Sequence, residues 1–144
     1  RRAGAAGGGA PAADAELVQG VLRECKEVVV LQKADKETIA ELVAAMAEVR
    51  VAAGEAVVRQ GDRIDSMYVV VEGEMAFERT AAGDEAPSSR PAGRGDQFGA
   101  VTLLGNTPQR TTVVARTDCR LWRLERQAFD AVILACGGGA ALGE

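Results

Sequence analysis

Histidine is absent from all 144 residues, which removes the commonest side-chain general base and the commonest metal ligand. No Ser/His or Cys/His pair can be assembled, and a small β-barrel of the histidine-ligated metalloenzyme kind loses its ligands. Cysteine is scarce: Cys25, Cys119 and Cys136 have no metal-ligand spacing. Their odd number does not make a disulfide framework, so they read as small buried hydrophobes. Long apolar runs are missing too. Val28–Leu31 and Met67–Val71 fall far short of the ~20 residues that span a bilayer, and the Ala/Gly-rich start has no continuous signal-peptide core. Nor is there an excess of positive charge. Seventeen Lys and Arg stand against 21 Asp and Glu, a net charge of -4, which leaves no basic field to hold nucleic acid. A cytoplasmic, non-enzymatic domain with no cofactor, no metal, no nucleic-acid partner and no membrane insertion is therefore expected.

What is present is enough for one core, since 47% of the chain is hydrophobic. Residues 1–13 contain only Arg, Ala, Gly and Pro and read as a disordered linker or cloning remnant. The domain is expected over 14–136, followed by a flexible tail over 137–144. Asp14 is expected to cap a helix in which Leu17, Val18, Val21, Leu22 and Cys25 share a face. Asp35 is expected to cap a second, carrying Ile39, Leu42, Val43, Met46 and Val49 on one stripe.

From Arg50 the pattern changes to short β-rich runs separated by glycine turns: Val51, Ala56–Arg59, Met67–Val71, Glu74–Glu78, Arg110–Arg116 and Arg120–Leu124. Gly54, Gly61 and Gly73 fit turn positions of positive φ. Val69–Val71 is apolar on both faces, as a strand packed between layers would be. Thr80–Asp96, which carries Gly83, Pro87, Ser88, Ser89, Pro91, Gly93 and Gly95, is expected to be a long loop. Phe129, Val132, Ile133 and Cys136 mark a last amphipathic helix, halted by Gly137-Gly138-Gly139. Short strands at this spacing point to a sandwich or barrel.

The run Phe98-Gly99-Ala100-Val101-Thr102-Leu103-Leu104-Gly105-Asn106-Thr107-Pro108-Gln109-Arg110-Thr111-Thr112-Val113 is the most informative. A glycine opens a short helical turn, a proline closes the following loop, and a β-branched strand begins. An anion site needs that order: exposed N–H groups at a helix start, a residue small enough for an oxygen to approach them, and a cationic side chain facing back from the strand.

With AGEAVVRQGD and MYVVVEGE before it and CRLWRLERQAF after it, this run resembles the cyclic-nucleotide-binding domain of the cAMP- and cGMP-dependent protein kinases, over roughly Leu17 to Leu134. The resemblance implies an α+β fold: an eight-stranded β-barrel of the double-stranded β-helix or jelly-roll kind, flanked by N-terminal helices and a C-terminal helix. It also implies that Gly99, Ala100, Val101, Gln109, Arg110 and Thr111 surround the ligand.

In that family a glutamate after the Phe-Gly pair takes the ribose 2′-hydroxyl, and an arginine after the proline pairs with the phosphate. Laid on without gaps, Phe98, Gly99, Thr107 and Pro108 match, but Ala100 stands at the glutamate position and Gln109 at the arginine position. Arg110 follows one place later, on the other face of a strand in that register. A one-residue bulge would bring Arg110 back, with Thr111 beside it as the threonine that favours guanine in cGMP-selective members, at the cost of a second shift before Thr112-Val113.

Two lost hydrogen bonds to charged groups are worth about 3–6 kcal/mol, which would move a nanomolar site to roughly 0.1–30 micromolar. The expected role is a degenerate regulatory domain that binds cGMP or cAMP weakly or not at all. It would instead hold neighbouring cyclic-nucleotide-binding domains and the kinase domain of a parent protein in place. The other reading is a sensor for a less anionic small molecule such as a nucleoside, which Ala100 and Gln109 would suit.

Overall fold

The computed structural model describes residues 11–80, 88–105 and 108–135. Helix α1 spans Ala12–Arg23, α2 Val29–Lys33, α3 Lys36–Ala44 and α4 Arg126–Ala135. Asp35 caps α3 as expected, its Oδ1 accepting from the Thr38 N–H at 2.9 Å. The stripe ends sooner than its periodicity suggests. Val49 lies in a strand, because a half-buried strand continues the apolar spacing while its backbone pairs with another strand.

Asp14 is not a cap. Pro11 occupies that position and α1 begins at Ala12, which leaves Asp14 in the first turn, where its side chain turns inward onto the sheet. None of the helices described is long and apolar enough to cross a membrane.

Eight strands follow: β1 Ala47–Val51, β2 Ala56–Val58, β3 Ser66–Glu72, β4 Met75–Arg79, β5 Ser88–Ala92, β6 Gln97–Phe98, β7 Thr112–Ala115 and β8 Cys119–Glu125. They form two antiparallel four-stranded sheets, in the orders β1-β8-β3-β6 and β2-β7-β4-β5. No strand ladder joins the sheets among the described residues, so the closed barrel expected from the sequence is here a pair of open sheets.

Strand β5 falls inside the stretch expected to be loop. Its Pro91 cannot donate to a ladder, yet β5 is an edge strand paired only with β4, and an edge is where a sheet tolerates proline. Residues 81–87, and the glycine stop expected after Cys136, lie outside the described residues.

Two apolar clusters make the core. Between the sheets lie Val58, Tyr68, Val70, Phe77, Phe98, Val113 and Leu121. On the other face of the first sheet, Met67, Val69, Val71, Trp122 and Leu124 pack against all four helices. Strand β3 is buried from Ser66 to Val71, because its alternate side chains serve the two clusters in turn.

The helical layer is also pinned by charge. Asp14 accepts from the Trp122 indole N–H at 2.9 Å and from the Arg120 guanidinium, which also meets Glu48 at 3.3 Å and Glu72 at 3.0 Å. One extra residue in β3 between Val70 and Glu72 sets Glu72 opposite Arg120. The Arg120 hydrogen bonds hold the Asp14 carboxyl below its ordinary value of 3.8, and the Trp122 bond adds to this against the opposing effect of burial.

Candidate functional site

A cleft of about 180 Å³ opens beside the end of β6. Gly99 builds its floor. With φ of 84° it adopts the left-handed conformation that turns the chain from β6 into the 3₁₀ helix Ala100–Leu103. A Cβ at this position would collide with the Ser66 carbonyl oxygen. Thr102 fixes the turn, its hydroxyl 2.7 Å from the Gly99 carbonyl oxygen and 3.2 Å from that of Ser66. Gly99→Ala is therefore expected to cost about 1–3 kcal/mol of stability, measurable by denaturant unfolding; an unchanged midpoint would contradict this geometry.

All six residues expected at the site line this one cleft: Gly99, Ala100 and Val101 from the turn, and Gln109, Arg110 and Thr111 from the segment before β7. Asn106 and Thr107 lie outside the described residues. Ala100 is 2% exposed and Gln109 6%, whereas Arg110 is exposed. Gln109 is thus buried against the cleft. Arg110, which the ungapped register placed on the opposite face of a strand, lines the cleft as well, because residues 109–111 precede β7 and do not alternate as a strand does. Its backbone is held on both sides, donating to the Asp62 carbonyl at 2.7 Å and accepting from the Gly61 N–H at 2.8 Å. Its side-chain amide donates to the Thr111 hydroxyl at 3.2 Å.

Four lining residues outside the motif were not anticipated from the sequence: Glu27, Phe77, Arg90 and Gln97. Each comes from an element whose placement depends on distant contacts. Gln97 donates to Glu27 Oε1 at 3.0 Å across 70 residues of chain. Arg90 lies on the unforeseen strand β5, its guanidinium carbon 4.6 Å from the Phe77 ring centroid. Beneath them the aromatic rings are ordered, with Tyr68 stacked on Phe98 at 4.9 Å and Phe77 edge-on to Phe98 at 5.8 Å.

Burial raises the Tyr68 hydroxyl pKa above its ordinary value, and burial likewise raises that of the neighbouring Cys25 thiol. Both groups stay protonated at neutral pH. Among the described residues the cleft offers hydrogen bonds, two guanidiniums and one carboxylate. No cluster of three or more metal-ligating side chains occurs among the described residues.

A glycine-initiated 3₁₀ helix beside a cleft, on two antiparallel sheets with helices packed on one side, is the arrangement in which this site sits. The chain belongs to the cyclic nucleotide-binding domain family, whose model matches residues 48–136. It is 38% identical over 102 residues, 69% of this chain, to a cAMP-dependent protein kinase regulatory subunit of Blastocladiella emersonii, of which it covers 25%. It is 34% identical over 107 residues, 74% of this chain, to the cGMP-dependent protein kinase egl-4 of Caenorhabditis briggsae, of which it covers 14%. The chain thus spans a quarter or less of these two relatives.

Among solved structures, the regulatory domain of Toxoplasma gondii PKA, co-crystallised with cAMP, superposes with a TM-score of 0.68 at 28% identity. That match covers 85% of this chain and 46% of the other. The N-terminal domain of a transcriptional regulator from Streptomyces coelicolor A3(2) gives a TM-score of 0.68 at 28% identity, covering 84% and 82%.

Proposed function

We propose that this chain is the regulatory cyclic-nucleotide-type domain of a cytoplasmic cAMP- or cGMP-dependent protein kinase system, with a degenerate site of weak affinity. The kinase-system assignment is supported by the relatives, which are kinase regulatory subunits or kinases. The weak-site assignment rests on one observation: neutral Ala100 and Gln109 occupy the buried positions of the cleft where charged anchors would be most effective. The domain itself carries out no catalysis, and its partners are neighbouring domains of the same kind and the kinase domain.

A nucleotide that binds without strong anchors has little differential affinity with which to shift the domain between conformations. Its role is then largely to hold the arrangement of its neighbours. The nucleoside reading is set aside, because the relatives favour the kinase regulatory family and two guanidiniums face the cleft.

Isothermal titration with cAMP and with cGMP is expected to give dissociation constants weaker than about 1 micromolar, or less than about 8.2 kcal/mol of binding free energy. Nanomolar binding by the unaltered chain would overturn the weak-site reading.

A further inference from the structure

Although Ala100 and Gln109 are neutral, the cleft is not without charge. Arg90 enters from β5 in register with Phe77 of β4, so the two side chains leave the same face of the sheet. This is the face on which Phe77 meets Phe98. Stacking on the Phe77 ring holds a long side chain in place while leaving its N–H donors free. No carboxylate among the described residues pairs with Arg90.

Glu27 enters from the connection between α1 and α2. Its Oε1 accepts from Gln97 at 3.0 Å, with the Cys25 sulfur 3.7 Å away, so the carboxylate is oriented with Oε2 still available. Both Arg90 and Glu27 also line an adjoining cavity of about 550 Å³. A ligand too large for the 180 Å³ cleft would extend past both.

We infer that this cleft takes an anionic, hydroxyl-bearing small molecule through relocated anchors: Arg90 for the anion and Glu27 for a hydroxyl, replacing the side chains missing at Gln109 and Ala100. The inference rests on the cyclic-nucleotide reading of the cleft and names the residues that give it its remaining affinity. A guanidinium supplies a planar fork of donors to phosphate oxygens, and a carboxylate accepts a hydroxyl proton. Arg90 is exposed, so its contribution weakens as salt rises.

The test is titration of the full chain with cAMP, cGMP and 2′-deoxy-cAMP, repeated on Arg90→Ala, Arg90→Gln, Glu27→Gln and Arg110→Ala, with circular dichroism to verify folding. Both Arg90 variants are expected to weaken cAMP and cGMP alike, by roughly 10- to 100-fold; Arg90→Gln keeps bulk over Phe77 and so separates charge from packing. The unaltered chain is expected to prefer cAMP to its 2′-deoxy form, and Glu27→Gln to abolish that preference.

Unchanged affinity in the Arg90 variants, a loss confined to cGMP, a larger loss in Arg110→Ala, or a preference that survives in Glu27→Gln would each overturn the inference. So would the absence of binding at millimolar nucleotide, which leaves the weak-site reading standing. Nanomolar binding that is lost in Arg90→Ala would overturn the weak-site reading and uphold the inference.

Discussion

Asp14→Ala is expected to lower the stability of the domain by about 1–3 kcal/mol, the cost of leaving buried donors without their acceptor, while Glu48 and Glu72 remain as counter-charges for Arg120. The Asp14 side chain is 7% exposed and that of Arg120 17%, so neither end is freely rescued by water. Loss of the carboxylate also orphans the Trp122 indole N–H. At this chain length the melting temperature should fall by roughly 3–12 °C, and differential scanning calorimetry reads it directly.

The pH dependence of this effect follows from the folded-state titration of Asp14. Because its pKa is lowered on folding, its stabilisation is complete above the ordinary value of 3.8 and disappears as pH falls through the lower folded value. The gap between the unaltered chain and Asp14→Ala should therefore be widest near neutrality and narrow below about pH 4. A gap independent of pH would mean that Asp14 acts through packing alone.

The paired substitution Ala100→Glu with Gln109→Arg is expected to strengthen cyclic-nucleotide binding by several-fold at least. Two hydrogen bonds to charged groups set an upper limit of about 3–6 kcal/mol, and desolvation at two buried positions takes back part of it. The backbone at Gln109 is anchored by Gly61 and Asp62, so the new arginine inherits a fixed origin. Gln109→Arg alone places a third guanidinium near Arg90 and Arg110, and the glutamate offsets that repulsion. The double variant should accordingly exceed the sum of the single ones by a coupling of about 0.5–3 kcal/mol. Additive single effects, or no gain at all in calorimetry, would show that the side chains at 100 and 109 do not reach a common ligand.

Legibility in the sequence followed the range of the determining contacts. The Asp35 cap is a bond over three residues, and it could be read from local spacing. Strand β3 was marked by its two-sided apolar run, and the site by a motif whose members fold together in one turn and one strand start. Asp14 could not be read this way. Its identity suggests a cap, whereas its partner Arg120 is 106 positions away, and a buried ion pair outweighs a local propensity. Ser88–Ala92 reads as loop by composition, since nothing local announces that β4 will offer it an edge. Arg90 and Glu27 were missed for the same reason: each reaches the cleft only once the two sheets and α1 are in place.

The pairing of Asp14 with Trp122 has a practical consequence. Trp122 is the only tryptophan in the chain, and its ring is packed under the first helix with a carboxylate fixed to its nitrogen. Any event that lifts that helix removes a negative charge from the indole and admits solvent to it. Intrinsic emission is thus a built-in optical reporter of how the N-terminal segment sits on the sheet, readable without an attached dye.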